Sequence, residues 1–536
     1  MPLATNQAAS ASAPISPERR KGPAAERRAG NRRWLQWVVV SWMGALVLFH
    51  LGSAAAGRSM YRDQHIGAAL EYAKGSINLL KPVVVGFNLN GAPTPLELPV
   101  WQATAALAFK VFGTWFGWAN LVSLLFLFSA LYPLFKLAER FGAAGCGWWA
   151  VLLFLAQPSV VIDAGAASPD GEALAATVWF MFFASRLWEE PRFKWGLLTA
   201  LAGALAAVSK LPFFMAAGLG CLFMTAAHYR RQWRVWVGLG APALAIGAAF
   251  LAWTVYTERA YRAAELPLVD LRLGGSEAGS WYFGGLKYRL SLTAWAGGGY
   301  HMLVYQFGSW ALAGVFLLGL GRPDSRLGRW WVLGGVATCL LFFHLVFHHG
   351  HYWVMFAPAI ALVCAPVAVA VEGALAALGP GRLAAGRCVL AGALALSTVQ
   401  GCLGMNCAMN FDSYPYEMAK VIRRHTSPAD KLLIQGGGWG GKLLILSNRK
   451  GLSVWDTRLL EDRQTRARLR ALGFTKLVMV SETPMLTAIR RSRNPNPVPR
   501  QTYRSAMTPV VANWPTVIQN EDILIKDWPS PSSGAQ

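Results

Sequence analysis

Apolar runs of about twenty residues, parted by short polar links, repeat along the first four hundred residues of the chain. They read Trp34–Ala56, Ala119–Ala138, Gly147–Ile162, Glu172–Leu187, Trp195–Ser209, Leu211–Ala227, Val235–Tyr256, Met302–Leu320, Trp330–Val346, Tyr352–Val371 and Cys388–Leu403. Runs of this length and apolarity predict membrane-spanning helices, here about eleven. One more stretch, Pro99–Phe112, is apolar enough to insert and would alter that count. After residue 403 the pattern changes. Short apolar pieces at Lys431–Gln435, Leu452–Trp455, Lys476–Val480 and Ile523–Lys526 read as strands, and Tyr416–His425 and Leu459–Leu472 as amphipathic helices. That alternation predicts a small α/β domain over residues 404–536. The expected architecture is thus an α-helical polytopic membrane protein over 34–403 with a C-terminal α/β domain.

Composition agrees: 54% of the 536 residues are hydrophobic and only 14% charged, which a soluble chain rarely shows. The net charge is +23, but no single basic domain carries it, which argues against a nucleic-acid partner. Instead the basic residues fall in alternate links: Lys136 and Arg140; Arg186, Arg192 and Lys194; Arg230, Arg231 and Arg234; Arg322, Arg326 and Arg329; Arg382 and Arg387. Positive charge in alternate short loops marks the cytoplasmic side and meets anionic membrane lipids. Residues 1–33, rich in Ala, Ser, Pro and Arg, are expected to be a disordered basic arm on that same side. The first loop, 57–113, and the C-terminal domain then lie on the outer side.

With this topology the chemistry-bearing residues gather on the outer face. Asp63 and Glu97 lie in the first loop, Asp163 and Asp170 in the second, and Lys210 follows the fifth run. Glu258, Arg259, Arg262, Asp270, Arg272 and Lys287 lie in the fourth outer loop, and His348, His349, His351 and Tyr352 in the fifth. Acids beside a membrane point to chemistry or to a partner. Each residue also has a plainer reading. Pro169-Asp170-Gly171-Glu172 suits a helix start, and Lys210 suits a lysine reaching to the interface. The histidine cluster lacks a HExxH acid, and Gly350 breaks the helix that zinc-ligand spacing needs. Gly436–Gly441 satisfies G-x-G-x-x-G after a strand, with Asp456 downstream, but a tight turn or a loop over the site fits an outer domain better. Cys402 and Cys407 leave a disulfide open. Most tryptophans fall at run ends, as interface anchors do.

Several of these residues stand in an order that resembles the integral-membrane glycosyltransferases of the GT-C class, in particular bacterial protein O-mannosyltransferases and lipid A aminoarabinose transferases. The matching motifs are Arg62-Asp63, Glu97-Leu98-Pro99 through Phe112-Gly113, Pro169-Asp170, Ser209-Lys210-Leu211-Pro212, and His349-Gly350-His351-Tyr352-Trp353 with Pro358. The likeness covers roughly residues 34–480. Two departures leave the donor sugar open: no lysine adjoins Glu97, and Trp353 stands where a second tyrosine is common. The resemblance implies a bacterial-type inner membrane, a polyprenyl-phosphate sugar donor, an extracytoplasmic acceptor (lipid, glycan or protein) and inversion at the anomeric carbon. It leaves a divalent metal open. An acceptor nucleophile needs a base, and a lipid-phosphate leaving group needs cations. Asp63 is the expected base, and Lys210 the first cation, with Arg62, Arg259, Arg262 and His351 behind it. Glu97, Asp170 and Tyr352 complete the expected substrate site. Two other classes compete: a transporter or flippase of lipid-linked sugars, and a non-catalytic glycan-assembly subunit. The first predicts internal repeats and broken spans at mid-membrane. The second predicts that Asp63→Asn leaves sugar transfer intact.

Overall fold

The apolar runs fold as helices, but not all as unbroken ones. The computed structural model describes residues 33–56, 63–85, 97–263, 279–405, 413–436, 441–454, 457–483 and 502–529. Helix α1 (Arg33–Ala55) is followed by two short helices of the first loop, α2 (Asp63–Lys74) and α3 (Val100–Phe112). Then come α4 (Phe116–Ser129), α5 (Leu131–Phe141), α6 (Cys146–Leu155), α7 (Asp170–Glu189), α8 (Phe193–Ser209), α9 (Leu211–His228) and α10 (Trp233–Ala263). The bundle closes with α11 (Leu292–His301), α12 (Trp310–Leu320), α13 (Arg326–Leu341), α14 (Phe343–His348), α15 (Ala357–Ala377) and α16 (Pro380–Gly404). Among the described residues, six helical segments are long and apolar enough to cross a bilayer, and a seventh if one bent pair is joined. The chain is a multi-pass membrane protein.

Ala119–Ala138 is divided at Ala130, between α4 and α5, and four other expected runs are interrupted. Met302–Leu320 turns through 93° where α12 begins. Gly308 there has φ +66°, and a Cβ on it would meet Ser397 O at 2.0 Å. Ser309 restarts the helix, its hydroxyl accepting the Leu312 N–H. Trp330–Val346 breaks at Phe342, between α13 and α14. Gly147–Ile162 is helical only to Leu155 and then forms a π-helical turn, Val160–Ala164. Tyr352–Val371 begins in a 3-10 turn, Gly350–Phe356. Helix α3, the uncertain insertion, has 13 residues and extends about 20 Å, short of the roughly 30 Å hydrocarbon core.

Helix α7 is the axle of the bundle. From Asp170 to Trp188 nearly every side chain is buried, against α4, α8 and α9. A Cβ on Gly171 would meet Ala164 O at 2.5 Å, so its first turn sits directly on the preceding π-helical turn. Helices α9 and α13 touch backbone to backbone: a Cβ on Gly334 would lie 2.2 Å from Ala216 O and 2.4 Å from Gly220 N. Small residues at such crossings allow the close packing that drives helix association in lipid.

The C-terminal part adds α17 (Tyr414–His425), β1 (Lys431–Gln435), α18 (Lys442–Ser447), β2 (Lys450–Val454), α19 (Arg463–Ala471), β3 (Lys476–Val480), β4 (Thr516–Gln519) and β5 (Ile523–Asp527). All four expected strands are present, and the short edge strand β4 is additional. The sheet order is β2-β1-β3-β5-β4. β1 pairs in parallel with β2 and β3, and β5 antiparallel with β3 and β4. Alternate residues serve two cores, Leu433, Leu477 and Leu524 on one face and Leu432, Val478 and Ile525 on the other, as the two-residue period of a strand requires. The sheet unit rests on the first loop: a Cβ on Gly67 of α2 would lie 3.3 Å from Val85 Cβ and 3.4 Å from Ile445 Cδ1 of α18. Residues 437–440 of the glycine run, Asp456 and Cys407 lie outside the described residues.

Candidate active site

The site begins at the first turn of α7. Pro169 precedes it, and Asp170 and Glu172 fill its first turn, where carboxylates suit the helix dipole. Asp170 is fully buried, and Lys210 Nζ forms an ion pair with its Oδ1. Lys210 stands at the corner between α8 and α9, with extended backbone (φ −154°, ψ 95°) and Pro212 in the first turn of the next helix. The break delivers a lysine side chain into the bundle instead of out to lipid. Its Nζ lies 4.8 Å from the Tyr352 ring centroid and 5.5 Å from that of Phe213. A buried ammonium is tolerable when paired in this way.

The first loop is lashed to the same corner. Ser209 Oγ donates to Glu172 Oε1 at 2.8 Å, and the Leu98 N–H donates to Val208 O at 3.2 Å. The Leu98 bond places the preceding Glu97 beside Lys210, and the Ser209 bond ties the corner to α7. Glu97 Oε1 lies 2.6 Å from His65 Nδ1, and Gln102 Nε2 donates to Glu97 at 2.9 Å. Burial works to raise the Glu97 pKa. The neighbouring His65 opposes it most, with Lys210 and Gln102 adding to it, and together they hold the carboxyl below its ordinary value. Behind this, Trp101 Nε1 donates to Ser123 Oγ at 2.8 Å, tying α3 to α4.

Of the residues expected in the site, the structure brings together Glu97, Asp170, Lys210, Tyr352 and His351. The His351 ring lies 4.3 Å from that of Tyr352. Arg259 stands exposed near the end of α10, apart from this group in the described contacts, and the neighbouring Arg262 pairs with Glu258 at 2.7 Å. Asp63 opens α2, but its side chain, like Arg62 as a whole, lies outside the described residues. Sequence reasoning left His65, Gln102, Glu172 and Ser209 out of the site. His65 was visible as a first-loop residue and Glu172 as part of the Pro-Asp-Gly-Glu run. His65 pairs with Glu97 and Gln102 across the first loop and Glu172 with Ser209 across the α7–α8 hairpin, pairings that no local pattern records. Among the described residues no three His, Cys, Asp or Glu side chains are placed to hold a metal ion. His348 ends α14, His349 is extended and His351 lies in the 3-10 turn.

The cluster occupies one end of the bundle. Asp170 and Glu189 bound the 20 residues of α7, so about 30 Å separate its two ends. At the far end Arg140 pairs with Glu189 and donates to Ser185 O at 2.8 Å. There too Glu372 accepts from Trp34 and Trp149, each at 3.1 Å, and from Arg387 at 2.7 Å. A buried lysine–carboxylate pair therefore marks one membrane end, and arginine–carboxylate pairs the other.

No family model and no curated protein matches the chain. Solved structures do. ArnT from Cupriavidus metallidurans bound to undecaprenyl phosphate aligns with a TM-score of 0.58 at 14% identity, over 94% of this chain and 100% of that one. Its apo state aligns at 0.54 and 14% identity, over 91% and 98%. Arabinofuranosyltransferase AftD from Mycobacteria aligns at 0.51 and 15% identity, over 93% of this chain and 40% of that one. The chain has a GT-C-like fold. On this GT-C-like fold the Lys210–Asp170 pair and the Glu97–His65 pair lie where the first loop, the membrane bundle and the face bearing the sheet unit meet.

Proposed function

We propose that the chain is an inverting glycosyltransferase that moves a sugar from a polyprenyl-phosphate donor to an extracytoplasmic lipid, glycan or protein. The observation that carries this reading is the buried Lys210–Asp170 pair beside Tyr352. A polyprenyl phosphate leaving group, a phosphomonoester that gains negative charge as it departs, needs a cation at a dry, preorganised position, and Lys210 supplies one. The likeness in fold to ArnT, whose structure holds undecaprenyl phosphate, supports a polyprenyl phosphate as the lipid. In the reaction an acceptor hydroxyl attacks the anomeric carbon. The bond from that carbon to the phosphate oxygen breaks, and its electron pair leaves on the phosphate beside Lys210. The hydroxyl proton passes to a carboxylate, which we assign to Asp63, and a single displacement inverts the centre. Glu97, Asp170, His351 and Tyr352 shape the substrate site; Arg62 contacts the charged substrate from the first loop, and Arg259 from the outer end of α10.

The topology proposed with it has about eleven crossings over residues 34–403, the N-terminus in the cytoplasm, and residues 404–536 outside. The arginine-bearing end of the bundle supports this orientation. The test compares the masses of surface lipids and glycans in a deletion strain carrying the intact chain, Asp63→Asn or Lys210→Met. The intact chain restores a one-sugar shift; both variants, present in the membrane at equal level, do not. Restoration by all three would defeat the reading and favour a flippase or an assembly subunit.

A further inference from the structure

Five of the chain's nine histidines, His301, His344, His348, His349 and His351, fall from the last residue of α11 to the start of α15. Four of them form one wall with aromatic rings, and the wall starts at Lys210. From Tyr352, whose ring faces Lys210 Nζ, the rings continue to His351 at 4.3 Å and His349 at 6.3 Å. His349 lies 5.2 Å from Trp281, and Trp281 lies 5.7 Å from His344 and 6.2 Å from His348. His344 and His348 are stacked, 5.0 Å apart at 12°. His344 Nδ1 lies 2.8 Å from the Trp281 carbonyl oxygen and holds the indole-bearing turn in place.

The wall is open. Trp281, His344, His349, His351 and Tyr352 are half-buried, and His348 is exposed. Imidazoles facing hydrocarbon are costly, so histidines at membrane depth face water or a cavity. A row of flat apolar faces with polar nitrogen edges suits a ligand that is itself apolar on its faces and hydroxylated at its rim, as a sugar ring is. An isoprenoid would need no imidazoles. In the donor proposed above the sugar is bonded directly to the phosphate, so a phosphate at Lys210 sets the ring at the Tyr352 end of this wall, from which Trp281 is reached through His349 by ring steps of 6.3 and 5.2 Å.

We propose that Trp281, His344, His348 and His349 form the subsite against which the donor's sugar ring stacks, with Trp281 as its principal face. This rests on the reading of Lys210 as the phosphate-binding cation. The test measures binding of four probes to the full chain in lipid nanodiscs. They are undecaprenyl phosphate alone and the same lipid carrying mannose, glucose or aminoarabinose. The intact chain binds one sugar-bearing lipid more tightly than the bare lipid. Trp281→Ala removes roughly five- to tenfold of that preference and leaves bare-lipid binding within about twofold, while Trp281→Phe keeps most of the preference and guards against a folding defect. Lys210→Met weakens all four. The subsite is overturned if no sugar improves binding, if Trp281→Ala leaves the preference intact, or if it weakens bare and sugar-bearing lipids equally, which is the signature of an isoprenoid contact. Absence of binding by every probe to the intact chain would instead overturn the phosphate reading, and the subsite with it.

Discussion

Lys210 keeps its charge inside the bundle because Asp170 lies against it. Removing one partner of such a pair leaves the other charge buried, at a cost of about 3–5 kcal/mol. Lys210→Met and Asp170→Asn should each lower the thermal midpoint of the detergent-solubilised protein. The double variant should recover most of the stability but no activity, which separates folding from function. Glu97 carries a second prediction. Its carboxyl is largely buried, which works to raise its pKa, yet His65 beside it, with Lys210 and Gln102, holds it below its ordinary value. A depressed carboxylate contributes stability above its unfolded pKa, near 4.3, and loses it as pH falls through the folded value. In His65→Gln burial is less opposed, so the acid limb of the pH–activity profile should move to higher pH. An unmoved limb would show that His65 does not set the ionisation of Glu97. The acid and the lysine were legible in the sequence as polar residues at the ends of apolar runs. Which acid meets which base was not, because Glu97, Asp170 and Lys210 converge from three separate segments.

At the scale of the helix, hydropathy located the runs but not their breaks. Apolarity is averaged over a window, whereas a break depends on one backbone position. Gly308, with positive φ and no room for a Cβ against Ser397 O, permits the 93° turn into α12. Gly308→Ala should cost about 1–3 kcal/mol, read as a lower unfolding temperature. Gly334 poses a packing constraint instead of a conformational one. Gly334→Leu should force α9 from α13 and abolish assembly of a stable bundle, seen as aggregation during solubilisation. The four strands were readable because Leu433, Val478 and Ile525 sit in compact apolar pieces. Strand β4, Thr516–Gln519, carries mostly exposed residues on a sheet edge, so its sequence has little pattern to detect.

At the scale of the molecule, the sheet unit sits on the same end as the candidate site, through Ile445, Val85 and Gly67. Ile445→Asp should loosen that contact. Limited proteolysis of the intact chain should then cut between the bundle and the sheet unit sooner than in the parent protein, with activity reduced but α7–α9 still protected. Equal cleavage rates would show that the contact contributes little.

The one-dimensional pattern determined that this chain crosses a membrane many times, which links are basic, and that an α/β unit follows, because hydropathy, loop charge and strand period are all local. It also named Asp170, Lys210 and Glu97, through their order along the chain. Tertiary structure decided the rest. It determined that Asp170 and Lys210 pair, that His65 and Gln102 hold Glu97, that Arg259 is exposed near the end of α10, and that a wall of imidazole and indole rings leads away from Lys210. Those arrangements depend on which helix ends share a membrane face and how closely their backbones approach, and no property of a single segment encodes that.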